Sequence, residues 1–174
     1  MARLRLYGGI GSIGSTKLAV EQSGWRALFD LGPLIPGREG LLCDPVRPQG
    51  DGALATRITV GEAPAIEHLY RSEALTGMDV AGGGDNRTAM FVSHCHIDHM
   101  GLLGWIDPAV PIRAAEETAR MVTALEAAGQ PLEGGSPGIV AMPEGEAVEV
   151  GPLRVERWAV DHDVPGASGY LIHT

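Results

Sequence analysis

Residues 93–103 read Ser-His-Cys-His-Ile-Asp-His-Met-Gly-Leu-Leu, and the interpretation of the whole chain starts from this stretch. Three of the chain's six histidines fall within six positions here and share them with one aspartate: His94, His96, Asp98 and His99. Imidazole nitrogens and carboxylate oxygens are ligands suited to zinc, manganese and iron. The stretch directly follows the apolar run 89–92, which is typical of a buried strand. We therefore expect these side chains at the end of a strand.

The spacing of these residues predicts two metal ions rather than one. Side chains two positions apart in an extended segment point to the same side, so His94 and His96 can bind one ion. Asp98 and His99 come after the strand ends, where the chain turns and can direct them towards a neighbouring position. Gly101 relieves crowding at that turn. The alternative interpretation is a histidine-rich surface loop, with Asp98 capping a short helix.

Two other segments, one later and one earlier in the chain, add candidate residues to this site. His162 lies in the polar loop after a predicted strand and is a candidate third ligand of the first ion. Asp161 and Asp163 flank it and could orient its ring. Asp30 ends another predicted strand and is a candidate supporting carboxylate. Taken alone, His162 would be a solvated histidine and Asp30 a turn residue.

The remaining pattern predicts strands first and then strands alternating with helices, which indicates an α+β fold with helices packed on mixed sheets. The predicted strands are residues 3–7, 16–22, 25–31, 89–92, 110–114, 148–150, 153–160 and 170–173, with a hairpin turn at Ser23-Gly24. The predicted helices are residues 64–75 and 116–128, and residues 101–106 are predicted to form the first turns of another helix. Residues 32–61 are rich in Gly and Pro and predict a long loop. His68 and His173 fall on a predicted helix and strand and are assigned to structure, and Ser93 is not predicted to be a nucleophile.

Composition restricts the class of protein. The chain has 174 residues, 44% hydrophobic and 20% charged, as expected for one folded domain over residues 1–174. No apolar run reaches the length of a membrane span or signal peptide, so we expect no membrane partner and a cytoplasmic location. Cys43 and Cys95 form no paired motif and are interpreted as packing residues. The net charge of -9 and the lack of a basic run weaken, without excluding, a nucleic-acid substrate.

Three segments resemble the metallo-β-lactamase superfamily in the family's own order. Residues 93–103 are similar to its His-x-His-x-Asp-His signature. Residues 6–14, Leu-Tyr-Gly-Gly-Ile-Gly-Ser-Ile-Gly, and 28–32, Leu-Phe-Asp-Leu-Gly, resemble the opening of its nucleic-acid-processing branch, with ribonuclease J and its relatives the nearest match. Residues 160–169, Val-Asp-His-Asp-Val-Pro-Gly-Ala-Ser-Gly, are similar to that branch's third motif.

The resemblance implies an αββα sandwich with the metals at one edge of the sheets. It implies that His94, His96 and His162 hold one ion, that Asp98 and His99 help to hold the second, and that Asp30 supports the site. The opening departs from the family at Ser12 and Thr16, where Glu and Asn are usual. The family's bridging aspartate, its final histidine and the inserted β-CASP cap domain are not found in the sequence. We therefore expect a domain truncated after its third metal motif, the N-terminal part of a longer unit.

The sequence predicts a metal-dependent hydrolase using two divalent ions, with zinc favoured over manganese or iron. A hydroxide shared by the ions would attack, and the predicted catalytic residues are Asp98 and His99, with Asp98 placed to orient the hydroxide. The first hypothesis is a phosphodiester hydrolase acting on RNA, which the flanking motifs favour. The second is a small-molecule hydrolase of thioesters, lactones or cyclic phosphodiesters, which the acidity favours. The third is an inactive truncated domain, and an open sheet edge would then favour homo-oligomers.

Overall fold

The larger of two β-sheets contains the strand that precedes the histidine motif. The computed structural model describes residues 1–11, 14–34, 50 and 52–174. Six strands of this sheet lie within them, and they are β1 (Arg3–Gly8), β2 (Lys17–Gln22), β3 (Trp25–Phe29), β4 (Thr88–Phe91), β5 (Ile112–Ala114) and β6 (Ile139–Ala141). The order across the sheet is the order along the chain. This places β4 towards the middle, where both faces are covered.

The pairing within this sheet changes once from antiparallel to parallel, and this brings distant segments to one edge. The first three strands are antiparallel, and the β2–β3 hairpin turns at Ser23-Gly24 as predicted. From β3 to β6 every pair is parallel. Because the carboxyl ends of parallel strands meet at the same edge of a sheet, the residues that follow β3 and β4 become neighbours. Asp30 and the histidine motif are therefore side by side although about 60 residues separate them in sequence.

The second sheet has three antiparallel strands among the described residues. They are β7 (Ala147–Val150), β8 (Leu153–Ala159) and β9 (Ser168–His173), in that order across the sheet. The strand pair around Gly151-Pro152 was predicted, and β9 begins two residues earlier than expected. The loop between β8 and β9 carries His162.

The helices are short except for one. Within the described residues they are α1 (Ala53–Thr59), α2 (Ile97–Met100) and α3 (Glu116–Ala127), with single 3₁₀ turns at Ser72–Leu75 and Leu103–Trp105. The prediction of α3 is confirmed. In the described part of the chain, no helix has the length and apolar character that crossing a membrane requires.

Two segments differ from the sequence prediction. The helix predicted over residues 64–75 is wrong, because this segment is an irregular turn ending in the 3₁₀ turn, with His68 at φ +62°. Its apolar residues follow a helix-like spacing, but Tyr70 instead bridges to Ile106 and donates a hydrogen bond to the Pro64 carbonyl. The apolar side chains of this segment therefore reach the core without a helix.

The loop predicted over residues 32–61 also needs correction. It contains α1, whose Ala53 and Leu54 are buried in the core. The glycines and prolines around α1 favoured a loop prediction, so this short helix was not predicted. Residues 35–49 and 51, with Cys43 among them, lie outside the described residues. The short edge strand β6 was not predicted. The α-helix expected at 101–106 is wrong, because α2 ends at Met100 and this segment contains only the 3₁₀ turn Leu103–Trp105.

The core has two apolar layers, one on each face of the larger sheet. One layer lies between this sheet and the helices, and contributions from all three helices reach it through Leu54, Met100 and Val122. The other lies between the two sheets, where the rings of Phe29, Phe91 and Tyr170 pack with centroids 5.4 Å apart. The described residues thus form a helix–sheet–sheet stack, which is the first three layers of the predicted αββα sandwich.

Candidate metal centre

Three histidine rings converge at the edge where β3 and β4 end. His94 Nε2 lies 3.1 Å from His96 Nδ1 and 3.2 Å from His162 Nε2. One ligand atom from each of the three residues lies within 4.8 Å of the others. His94 is buried, His96 is half-buried and His162 is exposed. The group is thus open to solvent on one side and anchored on the other.

The three rings come from both sheets. His94 and His96 follow β4, and His162 lies in the loop after β8. This loop and the start of β9 are fastened to the end of β4, because the Ser168 amide donates to the Ser93 carbonyl at 2.8 Å. The Tyr170 hydroxyl donates to the Val92 carbonyl, also at 2.8 Å. The packing of the two sheets therefore sets the distance between His162 and the other two rings.

Asp30 and Ser93 form a buried network behind His94. Asp30 is 4% exposed and has φ +58°, and its carboxylate accepts both the amide and the hydroxyl of Ser93 at 2.7 Å. Because the Ser93 hydroxyl hydrogen is directed to Asp30, its oxygen is left to accept from His94 Nδ1 at 2.9 Å. His94 then carries its proton on Nδ1, and the lone pair on Nε2 points at the other two rings.

The electrostatics keep His94 neutral. Burial lowers the pKa of His94 to about 4, with further lowering by His99, His162 and His96, while Asp30 opposes the shift. At neutral pH the ring is therefore an electron-pair donor. Three imidazole nitrogens, one from each ring, lie within 4.8 Å of one another and form a compact donor set. This donor set fits a divalent ion such as zinc.

Asp98 and His99 lie beside this group as a second pair. His99 Nδ1 donates to Asp30 Oδ2 at 2.8 Å, and His99 Nε2 lies 3.4 Å from Asp98 Oδ2. Burial lowers the pKa of His99, but the hydrogen bond to Asp30 and the charges of Asp30 and Asp98 outweigh it, so the net shift is upward. The ring centroids of His94 and His99 are 4.0 Å apart. A carboxylate and an imidazole ring thus lie next to the three-histidine group.

The segment after β3 fixes the position of α2. The Leu31 amide donates to the His99 carbonyl at 2.7 Å, and the Leu31 carbonyl accepts from Leu102 at 3.0 Å. Gly32 packs so closely on the Asp98 carbonyl that a Cβ atom would overlap it. On the other side, Lys17 Nζ donates to the Gly32 carbonyl at 2.8 Å. These contacts set the backbone that carries Asp98 and His99.

The two aspartates around His162 differ in position. Asp163 Oδ1 lies 3.4 Å from His162 Nδ1 and 3.5 Å from His96 Nε2, on the side of each ring away from the shared centre. Asp161 is exposed, and no hydrogen bond or ion pair joins it to another described residue. Of the two candidates for orienting His162, the structure brings only Asp163 to the rings.

Sequence reasoning overlooked Ser93. It was set aside because it has no context for a nucleophile, yet its hydroxyl lies within 3.4 Å of Asp30, His94 and His99. The available signal was its place between a buried strand and the first histidine. His68 and His173 lie elsewhere, with His68 Nδ1 3.1 Å from the Gly83 carbonyl and His173 Nε2 3.8 Å from Glu156.

Comparisons with known proteins agree with this geometry. No protein-family model matches the chain. Ribonuclease J from Corynebacterium glutamicum is 27% identical over an alignment that covers 98% of this chain and 20% of that protein. A crystal structure of a protein of unknown function from Enterococcus faecalis V583 superposes with a TM-score of 0.78 and 29% identity, covering 98% of this chain and 40% of that chain. The Rm3 metallo-β-lactamase superposes with a TM-score of 0.53 and 14% identity, covering 96% and 52%.

This is a metallo-β-lactamase fold. The resemblance to the superfamily and to ribonuclease J, predicted from the three motifs, is confirmed. The chain spans about a fifth of the length of the ribonuclease J relative and about half of the lactamase. The histidine cluster lies at one edge of the metallo-β-lactamase fold, between the ends of its two sheets.

Proposed function

We propose that the chain is the metal-binding part of a hydrolase that cleaves phosphodiester bonds in RNA, as a ribonuclease J-type enzyme, and that residues 1–174 act as one domain of it. The observation that carries the proposal is the convergence of His94, His96 and His162 behind a buried Asp30–Ser93 network. Similarity to ribonuclease J over nearly the whole chain supports the choice of RNA.

The ligand assignment follows the two groups of side chains. His94, His96 and His162 hold one divalent ion, and Asp98 and His99 contribute to a second, with zinc the metal we favour. Bound divalent ions lower the pKa of water towards neutrality and offset charge that develops on the attacked phosphoryl oxygen.

The protein's own groups orient the reactants. Asp30 holds Ser93 and His99 at fixed angles, and Ser93 fixes the tautomer of His94. Asp98 Oδ2, beside His99 Nε2, accepts a hydrogen bond from the attacking water and directs its lone pair to phosphorus. Asp98 and His99 are therefore the catalytic residues in this proposal, and Asp163 keeps His96 and His162 facing the centre.

A second candidate is a hydrolase of small thioesters, lactones or cyclic phosphodiesters. The chain's net charge of -9 favours it, because an acidic surface repels a polyanionic RNA. The same metal chemistry serves a carbonyl carbon as well as phosphorus. The substrate, and not the site, distinguishes the two candidates.

Metal content tests the site itself. We expect elemental analysis of the purified chain to find a transition metal, and His96→Ala to lose it while circular dichroism stays unchanged. His173→Ala is the matched control, since His173 is an exposed histidine on β9 away from the cluster. Metal that survives in His96→Ala, or is absent from the wild-type chain, contradicts the proposed site.

Parallel assays then separate the substrates. One uses RNA carrying a 5′ phosphate, and the other uses a small thioester, each with and without added metal. The proposal expects metal-dependent cleavage of RNA that His96→Ala abolishes. Metal-dependent turnover of the thioester alone supports the second candidate. A chain that binds metal but acts on neither is the inactive truncated domain.

A further inference from the structure

A cavity of about 430 Å³ lies at the other end of the larger sheet. Residues at the starts of β1 and β3 line it, including Arg3 and Arg26, whereas Asp30 and the histidines follow the ends of β3 and β4. A five-residue strand spans ~17 Å, so this cavity is well separated from the metal centre. Its volume falls within the range usual for small-molecule sites, ~300–1,000 Å³.

Arginines concentrate in this cavity although the chain as a whole is acidic. Its lining includes three guanidinium groups and two carboxylates, so it carries a positive balance in a chain with a net charge of -9. These charged residues are Arg3, Arg5, Glu21, Arg26 and Glu67.

The hydrogen bonds leave donors free to face the cavity. Glu21 accepts from Nε of Arg5 at 2.7 Å and from Nε of Arg26 at 3.2 Å, which fixes both guanidinium groups by their inner nitrogen. Among the described residues, the terminal nitrogens of Arg5 and the whole guanidinium of Arg3 have no hydrogen-bond partner. Glu67 pairs with none of these guanidinium groups among the described ion pairs, and its Oε2 accepts the Ala81 amide at 2.6 Å.

An apolar wall completes the cavity. Tyr7 and Ile66 line it beside the arginines, and both also pack against the helix-side core. A guanidinium fork matches the oxygens of a phosphate group, and an apolar wall accepts the organic part of a ligand.

We propose that this cavity binds a small phosphate monoester, with the phosphate on Arg3 and Arg5 and the organic part against Tyr7 and Ile66. The site is separate from the metal centre and does not depend on the function proposed for it. Its ligand is a nucleotide-sized compound, because the cavity volume exceeds that of inorganic phosphate several-fold.

Calorimetric titration with adenosine 5′-monophosphate tests the proposal. EDTA is present throughout, so that phosphate cannot bind through a metal at the histidine cluster. We expect one saturable site per chain, no binding of adenosine without phosphate, and weaker binding of inorganic phosphate. The double variant Arg3→Gln/Arg5→Gln should lower the affinity about tenfold or more, because charged hydrogen bonds to phosphate are lost.

A control matched in charge is Arg120→Gln/Arg154→Gln, which removes an exposed arginine of α3 and a half-buried arginine of β8, both outside the cavity lining. We expect this control to leave the affinity unchanged. Should either double variant fail to fold, the single variants Arg3→Gln and Arg120→Gln replace them, since both side chains are exposed. No saturable binding by the wild-type chain overturns the proposal, as does an equal loss in variant and control. The metal-content test is unaffected by either result.

Discussion

Ser93 connects two groups of the candidate metal centre, a buried carboxylate and a neutral imidazole. Its hydroxyl donates to Asp30 at 2.7 Å and accepts from His94 Nδ1 at 2.9 Å, so a single side chain sets both the position and the tautomer of the ring. Groups of this kind around metal ligands typically change metal affinity by ~10–100-fold when removed.

Ser93→Ala should therefore weaken metal binding about tenfold or more while the chain stays folded, because Asp30 loses a donor and His94 loses the acceptor that fixes its tautomer. Competition with a chelator measures the affinity. Ser93→Thr is the control, since it keeps the hydroxyl and should bind metal nearly as the wild type does. Equal affinities for the alanine and threonine variants would show that the hydroxyl has no part in the site.

Lys17 is the chain's only lysine and is buried, and no carboxylate of the described residues forms an ion pair with it. Its ammonium donates to the Gly32 carbonyl and to the carbonyl and hydroxyl of Ser15, at 2.6–3.1 Å. Burial lowers the pKa of Lys17 to about 8 from 10.5, although Glu62 opposes the shift. A buried charge with neutral partners costs free energy that its hydrogen bonds only partly offset.

Between pH 8 and 10.5 the unfolded chain thus binds a proton on Lys17 that the folded chain has lost, so this residue makes folding stability rise with pH. Between pH 7.5 and pH 10 the effect is on the order of 2 kcal/mol. Chemical denaturation at pH 7.5 and pH 10 should show the wild type gaining stability relative to Lys17→Met. Comparing the two chains cancels the opposite contribution of Tyr7, Tyr70 and Tyr170, whose pKa values burial raises. A difference that stays constant with pH would contradict the burial of the charge.

At the scale of elements, the segment after β3 and the helix α2 form one unit. Gly32 lies against the Asp98 carbonyl, and Gly32→Ala should push α2 and its two candidate ligands away from Asp30. We expect a loss of roughly 1 to 3 kcal/mol in the free energy of unfolding, the usual cost of overpacking, together with weaker binding of a second metal equivalent. Denaturant unfolding and metal titration measure the two effects.

Gly138→Ala is the control for this change, because a Cβ atom there meets nothing within 4 Å and its φ lies outside the left-handed region. We expect it to leave stability and metal binding close to those of the wild type. If Gly32→Ala matched it, the close approach of Gly32 to α2 would not matter for the site.

The elements that sequence predicted well are those whose pattern reflects one dominant cause. Most of the strand β8 alternates buried and partly buried positions, and α3 has a helical period ended by Gly129. The apolar spacing in residues 64–75 wrongly predicted a helix, because Ile66 and Tyr70 are buried by tertiary contacts of an irregular segment. The helix α1 was not predicted, because its seven residues, which lie between glycines, are too few to show a helical period.

Parts of the candidate site could likewise be predicted from the sequence, and other parts could not. His94 to His99 are close in sequence, so spacing alone indicated a shared centre. His162 was added from a motif, and its distance of 3.2 Å to His94 depends on how the second sheet docks. Sequence could not choose between Asp161 and Asp163, because which of them faces His96 is decided by the turn of the loop. The role of Ser93 could not be predicted, because it depends on the hydrogen-bond partners of its hydroxyl.

At the scale of the whole molecule, the histidine cluster joins the two sheets. His94 and His96 extend from the larger sheet and His162 from the smaller, so an ion bound by all three cross-links the layers. The apolar layer between the sheets already holds them together through Phe29, Phe91 and Tyr170. Metal binding should therefore add stability and rigidity to a preformed interface, rather than create the fold.

His162→Ala separates these two contributions, because His162 is exposed and its loss leaves the inter-sheet packing intact. Saturating metal at ~100 times its dissociation constant adds ~2.7 kcal/mol, and we expect the wild type to melt roughly 5–10 °C higher with metal than with chelator. The variant should melt at the chelator temperature under both conditions and show faster hydrogen exchange in β8 and β9. His173→Ala, another exposed histidine of the smaller sheet, should retain the full metal-dependent rise. If His162→Ala kept that rise, the ion would be bound by the larger sheet alone and the cross-link would be wrong.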